Sequence, residues 1–449
     1  MIYREYKINR KNYHLSKKDE SLIRILQSVV KDISIVYQFQ CKEGFYPKGL
    51  IREKLVQAAK SNPELLSSFT YINMKNGQLK AVPYHVHYAK YLAPIAKKIE
   101  KAVSLCSNKS FKLYLQAQAK SLLDGNYKEA FRLWLDVKNS KIDFSLGPSQ
   151  RYLDKDLFIK RTFQAHVGVI DEKYTQLAEQ YKEALYSSAK VSFTKHHSTD
   201  IPKRGVRVFA QATPALAGYP ADVLASGEHF PSNLDAAREY GAKIIIYGSQ
   251  LAMKFEKIYY PIFKLIFEPT FASKYSKEML LEAAGWCIFL YEVGEQLHKF
   301  DGAGDRLKEF YAPIEKANGF ASGIAHSKEL VVKGFLSQEQ LEAVIIIHIV
   351  WMLADWLLYH KSGIKQKHII GNSILLNSYL SHGALREAAG ISWPNFSRIF
   401  FEIESVAYQL VYLLQKGTYK EARLFIKKNA DFGSFKRLSK GLSKINTQV

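Results

Sequence analysis

Residues 81–103 read AVPYHVHYAKYLAPIAKKIEKAV. Tyr91, Leu92, Ile95, Ile99 and Val103 recur at spacings of three and four, which puts them on one face of a helix and the lysines on the other. The same period runs through residues 20–40, ESLIRILQSVVKDISIVYQFQ. Residues 111–137 repeat it as a helical hairpin interrupted by Asp124-Gly125-Asn126, a tripeptide suited to a turn. The middle of the chain changes character. VRVFAQATPALAG and AKIIIYG are β-branched runs bounded by Gly and Pro, and are expected as strands. From Ser276 to Lys428 the helical period returns, with breaks near Asp301-Gly302, Gly334, Lys361-Ser362-Gly363, Gly390 and Gly417. No internal repeat or low-complexity segment is present. The expectation is a mainly α fold with a smaller α+β part.

The chain has 449 residues, 47% of them hydrophobic and 24% charged, enough apolar material for a large core. Its three cysteines, Cys41, Cys106 and Cys287, lie far apart, which argues against a disulfide framework and for a reducing compartment. The first residues, MIYREYKINRKNYHLSKK, are charged throughout and lack a secretory h-region. The apolar run Val344–Leu358 is shorter than the roughly 20 residues a bilayer needs and is interrupted by Asp355, so it reads as a buried helix. Cytoplasmic localisation follows as an expectation. The net charge is +22, with lysine outnumbering arginine about threefold and mild concentrations in residues 4–18 and 427–444. A polyanion, an acidic surface or anionic lipid is thereby a candidate partner, although no zinc finger or RNP signature accompanies the charge.

Seven stretches, in order over roughly residues 45–430, resemble the short bacterial-type members of the dipeptidyl peptidase III family. They are AVPYHVHYAKYLAPIAKKIEKAV (81–103), YLQAQAKSLLDGNYKEAFRLWLDV (114–137), DFSLGPSQRYLDKDLF (143–158), FPSNLDAAREYGAKIII (230–246), LKEFYAPIEKANG (307–319), HIIGNSILLNSYLSHGAL (368–385) and LLQKGTYKEARLFIKKN (413–429). The resemblance implies two lobes flanking a cleft, zinc in the helical lobe, and removal of dipeptides from the free amino end of peptides. The domain expectation is an N-terminal helical segment over 1–110, a mixed α/β lobe over 111–270, a helical lobe over 271–430 and a basic tail over 431–449.

In His-Glu-x-x-His, two imidazoles on one helix face hold zinc and the glutamate between them takes a proton from the metal-bound water. The matching segment here is Leu290-Tyr291-Glu292-Val293-Gly294-Glu295-Gln296. Tyr291 stands in the first histidine position, and Glu295 (or Gln296, in the longer form of the motif) in the second. Glu292 keeps the general-base position. In the second motif Glu315 is kept, and Lys316 replaces the glutamate that would be the third ligand. An ammonium there repels a divalent cation, so an ion pair of Lys316 with Glu292 or Glu295 is expected instead, and no bound zinc. A weak ion site at Glu292, Glu295 and His298 is the alternative; otherwise His298 caps a helix end.

The family's carboxylate for the substrate amino group is replaced by Gln150, while Tyr152 is kept. His368 matches the histidine near the reacting carbonyl, and Asn372 and Asn377 match its asparagines. His196-His197 reads as a solvated loop pair and His348 as a core histidine. Three functions compete. The first is a non-catalytic relative with a peptide- or partner-binding cleft. The second is a hydrolase with a remodelled site using Glu292, Glu295 and His368. The third is a basic protein that binds polyanions or membrane surfaces.

Overall fold

The structure, a computed structural model, describes residues 2–151, 153–154, 157, 159–192, 205–231, 234–361, 365–388 and 391–446. Tyr152 and the His196-His197 pair lie outside them. The chain forms two compact units. One comprises Met1–Glu172 with Ala210–Ala225, the other Lys173–Phe209 with Ser226–Val449.

The first unit opens with strand β1 (Tyr3–Glu5) and helix α1 (Lys17–Glu43). Ser16 starts α1 through a reciprocal capping box with Asp19, satisfying backbone N–H groups that the helix leaves open. Its buried face, from Leu22 through Leu26, Val29, Val30, Ile33 and Val36 to Tyr37, is the period read in residues 20–40. The hairpin of β2 (Thr70–Lys75) and β3 (Gln78–Pro83) follows. Helices α2 (Ala89–Leu105), α3 (Lys109–Asp124) and α4 (Tyr127–Leu135) come next. Gly125, at φ +76°, makes the turn between α3 and α4. Three longer strands complete the unit: β4 (Ile142–Gln150), β5 (Thr162–Ile170) and β6 (Val206–Ala217), whose first four residues belong to the second unit. Pairing is antiparallel throughout; β4 lies beside β5, β5 beside β6, and β1 on the far edge of β6. Asp143 is buried between them, accepting from the Trp134 indole at 2.9 Å and facing the His166 ring at 2.8 Å.

The second unit holds helix α5 (Glu172–Ser192, from its second residue on) and the antiparallel pair β7 (Gly227–Phe230) and β8 (Ala242–Tyr247). Its helices are α6 (Gly248–Lys254), α7 (Lys277–Leu297), α8 (Tyr311–His326), α9 (Gln338–Tyr359), α10 (Gln366–Ser381), α11 (Phe396–Lys416) and α12 (Tyr419–Asn429). Helix α8 packs against α7, α10 and α11, and α9 packs on α7 and α10. Helix α9 is long and apolar enough to cross a bilayer, and it is mostly buried within this unit, as the reading of Val344–Leu358 expected.

Three features depart from the sequence reading. The expected boundaries at residues 110, 270 and 430 differ from this division, because strands β4–β6 join the N-terminal helices through the packing of α1 on β5. The 1–110 segment is not purely helical, since it carries β1 and the β2–β3 hairpin. A second hairpin, β9 (Leu385–Ala388) with β10 (Ile391–Pro394), interrupts the helical C-terminal half. All three cysteines are free.

Candidate functional site

Helix α7 starts at Ser276, whose hydroxyl accepts from the Met279 N–H, and from Trp286 to Leu297 every residue is buried. Its last turns meet α8 at a crossing without side chains. A Cβ built on Gly294 would lie 2.0 Å from the Gly319 carbonyl oxygen, and one on Gly323 would lie 2.0 Å from the Leu290 carbonyl oxygen. Helix α10 approaches almost as closely, since a Cβ on Gly371 would stand 2.9 Å from the Ala317 nitrogen. Backbones in contact at these glycines bring the flanking side chains of α7 and α8 into one small volume. Strand β7 closes the remaining side. A Cβ on Gly227 would meet the Ile288 methyl at 2.7 Å and the Glu292 carboxylate at 3.4 Å.

The polar groups meet there. Lys316 Nζ lies 2.5 Å from Glu295 Oε1, and their side chains are 9% and 2% exposed. The Tyr291 hydroxyl donates to the same oxygen at 2.5 Å. His229, from β7, presents Nδ1 to Glu292 Oε2 at 3.0 Å and to Glu295 Oε2 at 3.3 Å. Two carboxylate oxygens facing one ring nitrogen place the proton on Nδ1. Glu315 receives the Tyr311 hydroxyl at 2.6 Å and stands 4.0 Å from Lys316.

Burial alone would raise the Glu295 pKa; Lys316 first, then His229, outweigh it and hold the carboxyl below its ordinary range. Burial, reinforced by Glu295, pushes the Tyr291 phenol well up, so it is a neutral donor rather than a phenolate. His368, on α10, has its ring centre 6.5 Å from that of Tyr291. Desolvation, then Lys316 and Lys365, hold it well below the usual imidazole range, so it is neutral. Beside it Asn372 donates to Asp355 Oδ2 at 3.4 Å, Trp351 donates to the same oxygen at 3.1 Å, and Lys365 stands 3.7 Å from Oδ1. The buried Lys254 shares this neighbourhood, its pKa brought down to about 7 by desolvation and by Lys365.

Of the residues singled out from the sequence, Tyr291, Glu292, Glu295 and Lys316 therefore converge, with His368 beside them. The ion pair chooses Glu295 rather than Glu292. Asn377 is elsewhere: its amide donates to the Asn429 and Asp431 carbonyls, both at 2.9 Å, and fastens the end of α12. Gln150 belongs to the first unit, at the end of β4, where its side chain accepts from the Arg151 N–H at 3.0 Å. His298 ends α7 as its C-cap, as one reading had it, but its Nε2 faces that of His326 at 3.5 Å. The third member of the Glu292–Glu295 cluster is instead His229, which the sequence reading missed. It lies in Gly227-Glu228-His229-Phe230, outside the two runs read as strands, and nothing in that stretch marks it as a partner of α7.

His229, Glu292 and Glu295 can bring one donor atom each to within 4.8 Å of one another. The set nevertheless does not match the zinc centre that the resemblance implies. At the positions that the resemblance matches to the ligands stand Tyr291, a neutral phenol, Glu295, a carboxylate already bound by an ammonium, and Lys316, that ammonium. A divalent ion bound through Glu295 Oε2 would share that carboxylate with the Lys316 ammonium on Oε1 and meet its charge at close range.

The chain is similar in structure to dipeptidyl peptidase III from Caldithrix abyssi, with a TM-score of 0.87 and 19% identity over 98% of this chain and 95% of that one. It is likewise similar to dipeptidyl-peptidase III from Corallococcus sp. strain EGB, with a TM-score of 0.81 and 19% identity over 98% and 93%. In sequence it is 23% identical over 425 residues to Nudix hydrolase 3 of Arabidopsis thaliana, covering 90% of this chain and 53% of the relative. The chain thus spans about half the length of that plant protein. No protein-family model matches it. These likenesses show a dipeptidyl-peptidase-III-like fold, mainly helical with a smaller α+β part.

Proposed function

We propose that this chain keeps the dipeptidyl peptidase III fold without its zinc and without its peptidase activity, and that it acts by binding a peptide or a partner protein. One observation carries the reading: Lys316 Nζ, 2.5 Å from Glu295 Oε1, stands as a tethered cation among the residues that match the zinc ligands. Without a metal no water is acidified, and Glu292 has no activated nucleophile to serve. Replacement of the family's substrate-amine carboxylate by Gln150 supports the same reading, because an amide gives up the charge pairing that selects an N-terminal ammonium. Hydrolysis as named for the plant relative is not carried over, since the match covers only about half of that protein.

The test is an assay of dipeptide release from short peptides with free amino ends, with zinc, cobalt or manganese added. The expected result is no metal-dependent release, while some of the same peptides raise the thermal midpoint by binding the folded state. Turnover that depends on added metal, or no stabilisation by any peptide or partner, contradicts the proposal.

The convergence of His229, Glu292 and Glu295 favours a second reading, a hydrolase with a remodelled metal site. It requires an ion to bind beside the Lys316 ammonium that holds the other oxygen of Glu295. A Lys316→Met variant that gains tight zinc binding absent from the parent would assign Lys316 as the group that keeps metal out. Tight binding by the parent itself would favour the hydrolase.

A further inference from the structure

Helix α11 has two apolar faces. Its inner face, from Ile399 and Ile403 through Val406, Ala407 and Leu410 to Leu414, is core. Its outer face carries Phe401, 66% exposed, and Tyr408, 62% exposed, with Tyr412 beyond them. Seven aromatic residues are exposed among the described ones, and four of them fall between Phe401 and Tyr419, too dense for rings scattered singly over a surface. They are also aligned. Arg398, Phe401, Ser405, Tyr408, Tyr412 and Gln415 follow one another at intervals of three, four, three, four and three, the spacing by which one helix meets another along a seam. At 1.5 Å per residue this ridge is about 25 Å long.

Exposed cations stand at its two ends and along α12, the helix that follows it in the chain. Arg398, Lys416, Lys420, Lys427 and Lys428 are exposed and form no ion pair among the described residues. The carboxylates of this face are engaged within the chain: Glu404 by Lys328 at 2.6 Å, and Glu421 by the Thr418 N–H at 2.7 Å and the Tyr412 hydroxyl at 3.2 Å. That last bond joins the ridge to α12, where Leu424 is 55% exposed.

We propose that the ridge Phe401–Tyr408–Tyr412 is a docking seam for an acidic amphipathic helix of a partner protein. Aromatic side chains at the centre supply most of the affinity, and the cations supply orientation and encounter rate. A second copy of this chain is disfavoured, because a symmetric contact would set two such groups of cations face to face on molecules of net charge +22. Lipid is disfavoured because it would desolvate Glu404 and Glu421 beside the rings. The inference is independent of the centre around Lys316.

The test places the photocrosslinking residue p-benzoylphenylalanine at position 408 of the full chain in its own cells, with the same residue at the exposed Leu123 as control. Adducts are mapped by mass spectrometry, and the crosslinked segment is then titrated as a synthetic peptide. The expected adduct lies in an acidic helix of another protein. Its peptide loses about tenfold or more in affinity with Phe401→Ala and with Lys420→Glu/Lys427→Glu, both at unchanged thermal midpoint. Adducts confined to lipid, nucleic acid or a second copy, no adduct specific to position 408, or affinity indifferent to both variants would overturn it.

Discussion

Gly294 of α7 and Gly319 of α8 touch backbone to backbone, with room for no Cβ between them, and this contact sets Lys316 against Glu295. Gly294→Ala puts a methyl 2.0 Å from a carbonyl oxygen that belongs to a helix and cannot swing away. It should destabilise the fold by about 3 kcal/mol or more in urea unfolding. Gly285, in the same helix, has open space where a Cβ would stand, with nothing within 4 Å, and Gly285→Ala should be neutral or stabilise by up to about 1 kcal/mol. Equal effects at both positions would remove the close crossing as the organiser of the site.

Removing one partner of the buried pair leaves an uncompensated charge. Lys316→Met should cost about 3–5 kcal/mol, and adding Glu295→Gln should return a good part of it. A double-mutant cycle by urea unfolding measures the coupling; strict additivity would mean that the two groups do not interact in solution.

The buried histidines make stability fall in mild acid. Desolvation holds His326 down at about 4 and His348 at about 3, against an ordinary value near 6.5. Between these values and 6.5 the unfolded chain binds a proton that the folded chain refuses. Stability therefore rises with pH in that window, by about 1.4 kcal/mol per pH unit for each histidine. Glu295, lowered in the folded state, adds a loss at lower pH, below the ordinary carboxyl value. Urea midpoints from pH 7 to pH 4 should show the steeper slope in the parent and a shallower one in His348→Phe.

Asn377 and Asn372 should separate cleanly. Asn377→Ala loses two hydrogen bonds that hold the end of α12, at a cost of about 1–2 kcal/mol, and should leave the surroundings of Lys316 unchanged. Asn372→Ala acts beside Asp355 and His368, and should shift the His368 imidazole resonance that Asn377→Ala leaves in place.

The long helices were legible because their buried faces repeat at three and four, as in α1 from Leu22 to Tyr37. The hairpins β2–β3 and β9–β10 were not, because strands of four to six residues are too short for a period to stand out beside such helices. At the site, Tyr291, Glu295 and Lys316 were reached through the resemblance, which matched them to the family's ligand positions, and chemistry then paired the lysine with one of the surplus carboxylates. His229 could not be reached in that way, since β7 reaches α7 only through the tertiary fold. Gly319-x-x-x-Gly323 is a small-residue signal of close helix packing that the sequence carries, but its partner helix becomes evident only from the crossing with α7.

The most direct measurement is zinc content by mass spectrometry on protein purified without chelator and then offered zinc. With Lys316 seated on Glu295, the content stays well below one zinc per chain, and Lys316→Met raises it. About one zinc per parent chain, lost on His229→Ala or Glu292→Ala, would contradict the tethered-cation centre and make peptide hydrolysis the reading to pursue.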